Sequence, residues 1–369
     1  MTAYFCAITF INIFSLMLLI YLIESSTVIS RHQKHQFCVS CFIIFIICIM
    51  EVLTIILNGS PMRFKFFHIM ANFFGFSLTP LLFLTLGKAL LPNPQKHKTI
   101  NPLIFVWFLY NLWFVISLIT KRGYSVFFVD EMNNYSRAKG FFVYIISYAL
   151  GLLYFLIQNI FLSTQYLQNS NKILFLNFIF ILSGTTIQVL FPKIQITWTT
   201  VIISMFVYFI YLDTLYQQLD SQTYLKNQNS FYKSLNTLKN DSVLIIIDIE
   251  HFSKLKMNYS REKIDNIILE ISIIFRKFYR KYGQCYRIGS EEFCVVVKDT
   301  SLDFDNLNKE FFKEFVKETF EMEEMPLISA GWGKLFAKTA KSEFGLNKTL
   351  SEADLKKHEF IKNRASYIL

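Results

Sequence analysis

Arg287-Ile288-Gly289-Ser290-Glu291-Glu292-Phe293 sets two adjacent carboxylates on a tight turn between two apolar runs, 284–288 and 293–297. Upstream, a third carboxylate, Asp248, closes the apolar run 243–247. Acidic side chains at a strand end and on a nearby hairpin can together hold Mg²⁺ against the phosphates of a nucleotide. These residues alone therefore predict a nucleotide-handling site.

Working outward from this turn, the run 243–249 is apolar and mostly β-branched but for Asp248, as in a strand buried on both faces. Ile264, Ile267, Ile268, Ile271, Ile274, Phe275 and Phe278 recur at helical spacing and predict an amphipathic helix over 261–281, which Gly283 should stop. Residues 285–297 read as a hairpin with Gly289, Ser290 and Glu291 in its turn. Further on, 304–320 reads as a helix, 327–332 as a strand and 350–363 as a last helix. Helices alternating with strands imply one sheet with helices packed on it.

The first part of the chain follows different physics. Of 27 acidic residues only Glu24, Glu51, Asp130 and Glu131 precede Leu212, although 53% of the whole chain is apolar. Seven apolar runs are long enough for a bilayer core of about 30 Å: 3–23, 37–57, 66–86, 100–119, 141–162, 173–191 and 196–212. The last is short, and its helix should continue into the polar sequence beyond. The first lacks a basic leader and a small-residue cleavage site, so it reads as a span rather than a signal peptide. The expected organisation is an all-α seven-helix transmembrane bundle over 1–212, a connecting helix over 213–240 and an α/β domain over 241–369.

Loop charge does not orient the bundle. Arg31, Lys34, Lys88, Lys96, Lys98 and Lys172 fall on one side, and Arg63, Lys65, Lys121, Arg122, Arg137, Lys139 and Lys193 on the other. The C-terminal domain is placed in the cytoplasm because a nucleotide site needs a nucleotide pool. The net charge of +10 does not point to nucleic acid, since the residues after Leu212 hold 24 Lys/Arg against 23 Asp/Glu. Six cysteines form no metal or redox pattern beyond the isolated Cys38/Cys41 pair, which reads as apolar packing. Glu51 is the one carboxylate inside a span. It is either a functional group facing the bundle interior or a protonated or paired acid near a helix end.

Taken in order, the residues after Leu212 resemble the GGDEF domain of bacterial diguanylate cyclases. Asp220-Ser221-Gln222-Thr223-Tyr224-Leu225-Lys226-Asn227, followed by Phe231, is similar to the family's D-x-L-T-G-L-x-N…F. Asp248-Ile249-Glu250-His251-Phe252 is similar to D-[IV]-D-x-F, with Asp265 at the spacing of the Asp after the family's G-H-x-x-G. The signature turn resembles R-[YF]-G-G-[DE]-E-F, Ser329-Ala330-Gly331 resembles S-x-G, and Ala353-Asp354 resembles A-D. More loosely, the apolar part resembles the seven-helix sensor region found before histidine kinases and GGDEF domains. The likeness rests on Pro80 within the third span, the short loop at 191–193 and the near-direct run into Asp220.

The resemblance implies a central antiparallel sheet with flanking helices, of the nucleotide-cyclase and polymerase-palm type. It implies a homodimer in the bacterial inner membrane, each subunit holding one GTP, that condenses two GTP to cyclic di-GMP. Asp248, the Ile249 carbonyl and Glu291 would hold Mg²⁺ or Mn²⁺, and Glu292 would support the metals or the attacking hydroxyl. Asp265 would read guanine, together with Lys256 at the place of the family's Asn. Gly289 and Ser290 would approach the nucleotide, and Lys362 and Arg364 would grip phosphates.

The departures lie within these positions. Lys256 only donates, where Asn both donates and accepts. Ser290 and Tyr224 replace glycines, and a Cβ at Ser290 should disturb a positive φ. The family's phosphate-gripping spacing leads to Ile361 and Ala365. Its inhibitory R-x-x-D reads Arg280-Lys281-Tyr282-Gly283, which predicts no feedback inhibition there. Two functions follow: a sensor-controlled cyclase, or a degenerate receptor that binds nucleotide or a partner without turnover. A transporter is disfavoured, because no internal repeat or paired broken helix is visible.

Overall fold

The computed structural model describes residues 2–90, 100–120, 124–166, 171–191, 194–319 and 326–364. Lys96, Lys98, Lys121, Arg122, Pro192, Lys193 and Ala365, all invoked above, lie outside them. The chain divides into two compact units, Met1–Thr214 and Leu215–Leu369.

The first unit is helical: α1 (Thr2–Ser25), α2 (Arg31–Leu57), α3 (Lys65–Ala89), α4 (Ile100–Ile119), α5 (Phe141–Tyr166), α6 (Asn171–Leu190) and α7 (Thr197–Gln217). Among the described residues six helices are long and apolar enough to span a bilayer, and the described apolar part of α4, Leu103–Ile119, is shorter. The expectation of seven crossings is thus met by six spans of sufficient length. Between α4 and α5 a short hairpin, β1 (Phe127–Val129) and β2 (Tyr135–Arg137), pairs antiparallel. Asn133 in its turn adopts a left-handed φ of 62°. Its amide donates to Leu57 O at 3.0 Å and Ser60 Oγ at 2.9 Å, and its Oδ1 meets buried His68 Nδ1 at 2.9 Å. The hairpin is thereby fastened to α2 and α3.

The stretch 213–240 is not one connecting helix. The helix of α7 ends at Gln217, and the chain turns back before α8 (Gln228–Asn236). Asp220 N–H donates to Leu225 O at 2.8 Å and Tyr224 N–H to Asp220 O at 2.9 Å. Tyr224 occupies the left-handed region at φ 55°, so the turn keeps a geometry glycine favours even though the glycine is gone. Polar backbone groups satisfied within this turn stop the helix from running on.

The second unit holds β3 (Ser242–Ile249), α9 (Phe252–Asn258), α10 (Arg261–Tyr279), β4 (Gly283–Arg287), β5 (Glu292–Val297), α11 (Phe304–Thr319), β6 (Ile328–Leu335) and α12 (Glu343–Asn363). Its strands form one antiparallel sheet in the order β4-β5-β3-β6. Successive side chains of a strand point to opposite faces. Val243, Ile245, Ile247 and Ile249 accordingly pack with Ile268, Phe275 and Phe311 of α10 and α11, whereas Leu244 and Ile246 pack with Phe231, Leu346 and Ala353 of α8 and α12. A strand covered on both faces must be apolar at every position, which is why 243–247 shows no alternation.

Helix α12 begins seven residues before the expected start at 350, because Ser342 caps it by accepting from Gly345 N–H at 3.1 Å. The helix lies close on β6. A Cβ at Gly331 would run into the Ala353 carbonyl, and one at Gly333 into that of Thr349. The S-x-G and A-D motifs are thus the two sides of one packing contact.

Candidate functional site

Backbone register brings the acidic residues together. In the ladder Asp248 stands opposite Glu292 of β5 and Ser329 of β6. The next peptide ties the signature turn to the strand end, Ile249 N–H donating to Glu291 O at 3.2 Å. Within the turn, the N–H groups of Ile288 and Gly289 both donate to Glu292 O, at 3.0 and 3.3 Å. A Cβ at Gly289 would sit 3.0 Å from Glu292 Oε2, so glycine leaves room for that carboxylate to fold back beneath the turn.

Arg287 holds the turn from outside. Its Nε donates to Gly289 O at 3.2 Å and its Nη2 to Ser290 O at 2.7 Å. Its Nη1 pairs with Asp220 Oδ1 at 3.0 Å and donates to Gln222 Oε1 at 2.6 Å. Asp220 Oδ1 also accepts from Thr223 N–H and Oγ1, at 2.9 and 2.7 Å. Burial pushes the Asp220 carboxyl up, but the Thr223 bonds and the Arg287 charge outweigh it and the net pKa is lowered.

A cavity of about 500 Å³ opens at the C-terminal end of β3, lined by Asp248, Ile249, Glu250, Glu291, Asp354 and Lys357 among others. Asp248 and Glu291 therefore share one space, with Glu292 beside them in the ladder. Lys357 Nζ lies 2.8 Å from Asp354 Oδ1 and 3.4 Å from Asp248 Oδ2. Its burial disfavours the ammonium, yet these two acids prevail and raise its pKa. The Glu292 pKa is raised by burial first and by the charge of Asp248 second. Asp248 Oδ1 is buried and has no hydrogen-bond partner among the described residues. A carboxylate oxygen seldom stays buried without a partner, and Asp248 shares the wall of this cavity with Glu291.

These residues fit a hard divalent cation. Among the described residues no cluster of three or more His, Cys, Asp or Glu side chains is placed to hold a metal unaided. Mg²⁺ is commonly held by one or two carboxylates with substrate phosphates completing the shell, and Asp248 and Glu291 are that number.

The residues expected at the base and phosphates do not line this cavity. Asp265 is exposed on α10, and its Oδ1 accepts from Gln222 Nε2 at 2.8 Å. Gln222 thus relays Arg287 to α10 from a position where the family pattern has leucine; a polar residue there was the readable signal. Lys256 is exposed on α9 with its ammonium 4.3 Å above the Phe252 ring. Arg364 is spent on structure: Nη1 bonds Glu250 Oε1 at 2.7 Å and Ile328 O at 3.3 Å, tying the end of α12 to the sheet. Lys362 is exposed and does not line the cavity. Lys254 and Lys357 line it instead; of these Lys357 is on α12, nearer the Ala353 contact, and spacing counted from Ala353-Asp354 passes over it. Ser290 is exposed, and its φ is not positive, contrary to expectation. With its carbonyl held by Arg287, the turn needs no left-handed residue there.

Residues 217–356 match the family described as diguanylate cyclase, GGDEF domain. An 86-residue stretch is 35% identical to the diguanylate cyclase DgcS of Shewanella oneidensis, covering 21% of this chain and 29% of that one. A 106-residue stretch is 33% identical to an uncharacterized membrane protein of Staphylococcus haemolyticus, covering 26% of this chain and 30% of the relative. The matches to curated relatives span between 29% and 45% of those proteins' own lengths. Among solved structures, the FimX GGDEF domain of Pseudomonas aeruginosa is 20% identical, over 38% of this chain and 94% of that one, with a TM-score of 0.35.

Proposed function

Because residues 217–356 form a GGDEF domain, we propose that this chain is a membrane-bound diguanylate cyclase whose output is set by its helical unit. In this reading two copies face each other, each holding one GTP. The 3′-hydroxyl of each GTP attacks the α-phosphate of the other, two P–O bonds form, two pyrophosphates leave, and cyclic di-GMP results. The unpartnered Asp248 Oδ1 is the observation that carries the proposal.

Asp248 and Glu291 would hold Mg²⁺ or Mn²⁺, with the Ile249 carbonyl beside them. Bound there, the cation would offset the charge that gathers on a transferring phosphoryl group. Lys357 supplies a second positive charge to the same cavity, where it would face phosphate oxygens. Glu292, its pKa raised by burial and by Asp248, is suited to accept a proton near the attacking hydroxyl. Arg287 keeps the turn closed so that Glu291 stays at the end of β3. The domain would face the cytoplasm of a bacterial cell, with the apolar helices, α4 included, in the inner membrane.

The second reading is a degenerate GGDEF receptor that binds nucleotide or a partner without turnover. It is favoured by Asp265 being bonded to Gln222, by Lys256 lying on Phe252, and by Lys357 resting on Asp248. The deciding experiment incubates the purified full chain with GTP and Mg²⁺ or Mn²⁺ and quantifies cyclic di-GMP against Glu291→Ala. Product that vanishes in the variant establishes the cyclase. Metal-dependent GTP binding with no product from the folded dimer establishes the receptor.

A further inference from the structure

The helical unit contains a cavity of its own, about 600 Å³ in volume, a size that suits a small molecule. It lies among α2, α3, α5, α6 and α7, and Glu51 of α2 lines it. Glu51 remains only half-buried although it sits inside a bundle helix, because part of its surface faces this space. One part of the wall is aromatic, with Phe76, Tyr144, Tyr148 and Trp198, and the remainder mixes aliphatic residues with neutral polar ones such as Thr54, Asn72 and Thr185.

The hydrogen-bond network fixes how Glu51 is held. Gln188 Oε1 accepts from Thr197 N–H at 3.0 Å, so its amide nitrogen must be the end that faces Glu51 Oε1, also at 3.0 Å. One neutral donor serves a carboxylate able to accept about four hydrogen bonds. No ion pair of Glu51 is found among the described residues. Arg137, the one basic residue lining the cavity among the described residues, is exposed on the β1–β2 hairpin. Its charge is already placed: Nη1 donates to Val189 O at 3.3 Å, and the guanidinium lies 4.6 Å over the Phe141 ring.

A carboxylate away from water needs a cation, a proton or further donors. Aromatic faces around a carboxylate select an ammonium ion over a neutral group of the same shape. We propose that this cavity is a binding site for a small organic ammonium ion with an apolar body. The ammonium pairs with Glu51 and the body lies against the aromatic wall. The site belongs to the helical unit, and its ligand does not depend on turnover in the other unit.

The test uses the full chain in lipid nanodiscs and titration calorimetry, with heats from empty nanodiscs subtracted. The probes are phenethylamine and its neutral counterpart 2-phenylethanol. Saturable amine binding at one per chain is expected, at least about tenfold tighter than the alcohol, a difference of about 1.4 kcal/mol. Glu51→Gln, which keeps a partner for Gln188, should remove that preference and leave alcohol binding unchanged. Equal affinities for the two probes would make the cavity a generic apolar pocket and overturn the proposal. So would undiminished amine binding by a folded Glu51→Gln, or no saturable amine binding at all. Should the variant not fold, the two-probe comparison on the unaltered protein still decides.

Discussion

The acidic end of the proposed nucleotide cavity and the helical surfaces expected to read the base are built in different ways. Asp248, Ile249, Glu291 and Glu292 are placed by ladder register and by main-chain bonds such as Ile249 N–H to Glu291 O at 3.2 Å. Asp265 and Lys256 are exposed on α10 and α9, where contacts with Gln222 and Phe252 set their positions. The difference teaches which parts of a site tolerate drift in sequence. Groups carried by backbone survive changes in their neighbours, whereas groups carried by side-chain partners take whatever orientation those partners impose.

The largest effect should come from the acidic end. Asp248→Asn keeps shape and removes the charge, so cyclic di-GMP formation should fall by about 10³-fold, equivalent to about 4 kcal/mol of lost transition-state stabilisation. Initial rates at saturating GTP and Mg²⁺ measure this, with thermal melting to confirm the fold. A fall of less than tenfold would mean that the register-held acids are not the centre of the chemistry, and the contrast between the two ends would collapse.

Next in size is the brace. Arg287→Ala removes bonds to Asp220, Gln222 and two turn carbonyls, and should lower the stability of the domain by about 2 kcal/mol. The pH dependence has a definite sign. Asp220 has a folded pKa below its ordinary value. Its contribution is therefore present above the ordinary carboxylate pKa of about 3.9 and is lost as pH falls through the lower folded value. Melting followed from pH 6 down should show that loss, and Asp220→Asn should flatten the curve in that window.

Lys357 should affect binding more than chemistry. Lys357→Met keeps the apolar stem on β6 and deletes the ammonium, so half-saturation by GTP should rise roughly tenfold, as expected for one charge-assisted bond. The maximal rate should change less. Unchanged half-saturation would leave Lys357 as a structural partner of Asp354 and Asp248.

Much of this arrangement was legible in the order of residues. The unbroken apolar run 243–247 announced a strand covered on both faces, and hydropathy marked the helices of the first unit. The acids of the signature turn lie where a strand–turn–strand reading puts them. What was not legible depends on contacts distant in sequence. Gln222 reaches Asp265 across 43 residues, and no local pattern encodes that bond. Lys357 enters the cavity because Gly331 lets α12 settle on β6 at Ala353, a contact between segments that counting along the helix does not reveal. The break after Gln217 was missed because the polar residues that stop α7 also suit a solvated helix.

Lys256→Asn tests the base end directly. Restoring a group that both donates and accepts should raise the preference for GTP over ATP several-fold, since a site built to pair with a polar edge rejects the analogue lacking it. Competition binding with the two nucleotides measures the ratio. No change would mean that Asp265, held by Gln222, does not meet a base at all, and the receptor reading would gain.

Ser290→Gly should do least. A serine in place of glycine obstructs a turn only where φ is positive or a neighbour presses on its Cβ. Ser290 has neither a positive φ nor a buried side chain, and its carbonyl is already fixed by Arg287 at 2.7 Å. Glycine would therefore add only unfolded-state freedom, about 0.5 kcal/mol of lost stability, and turnover should stay within about twofold. A rise in turnover beyond about tenfold would show that the serine side chain stands in the nucleotide's path. The acidic end would then be held back by one exposed hydroxymethyl group and not by the helices that should read the base.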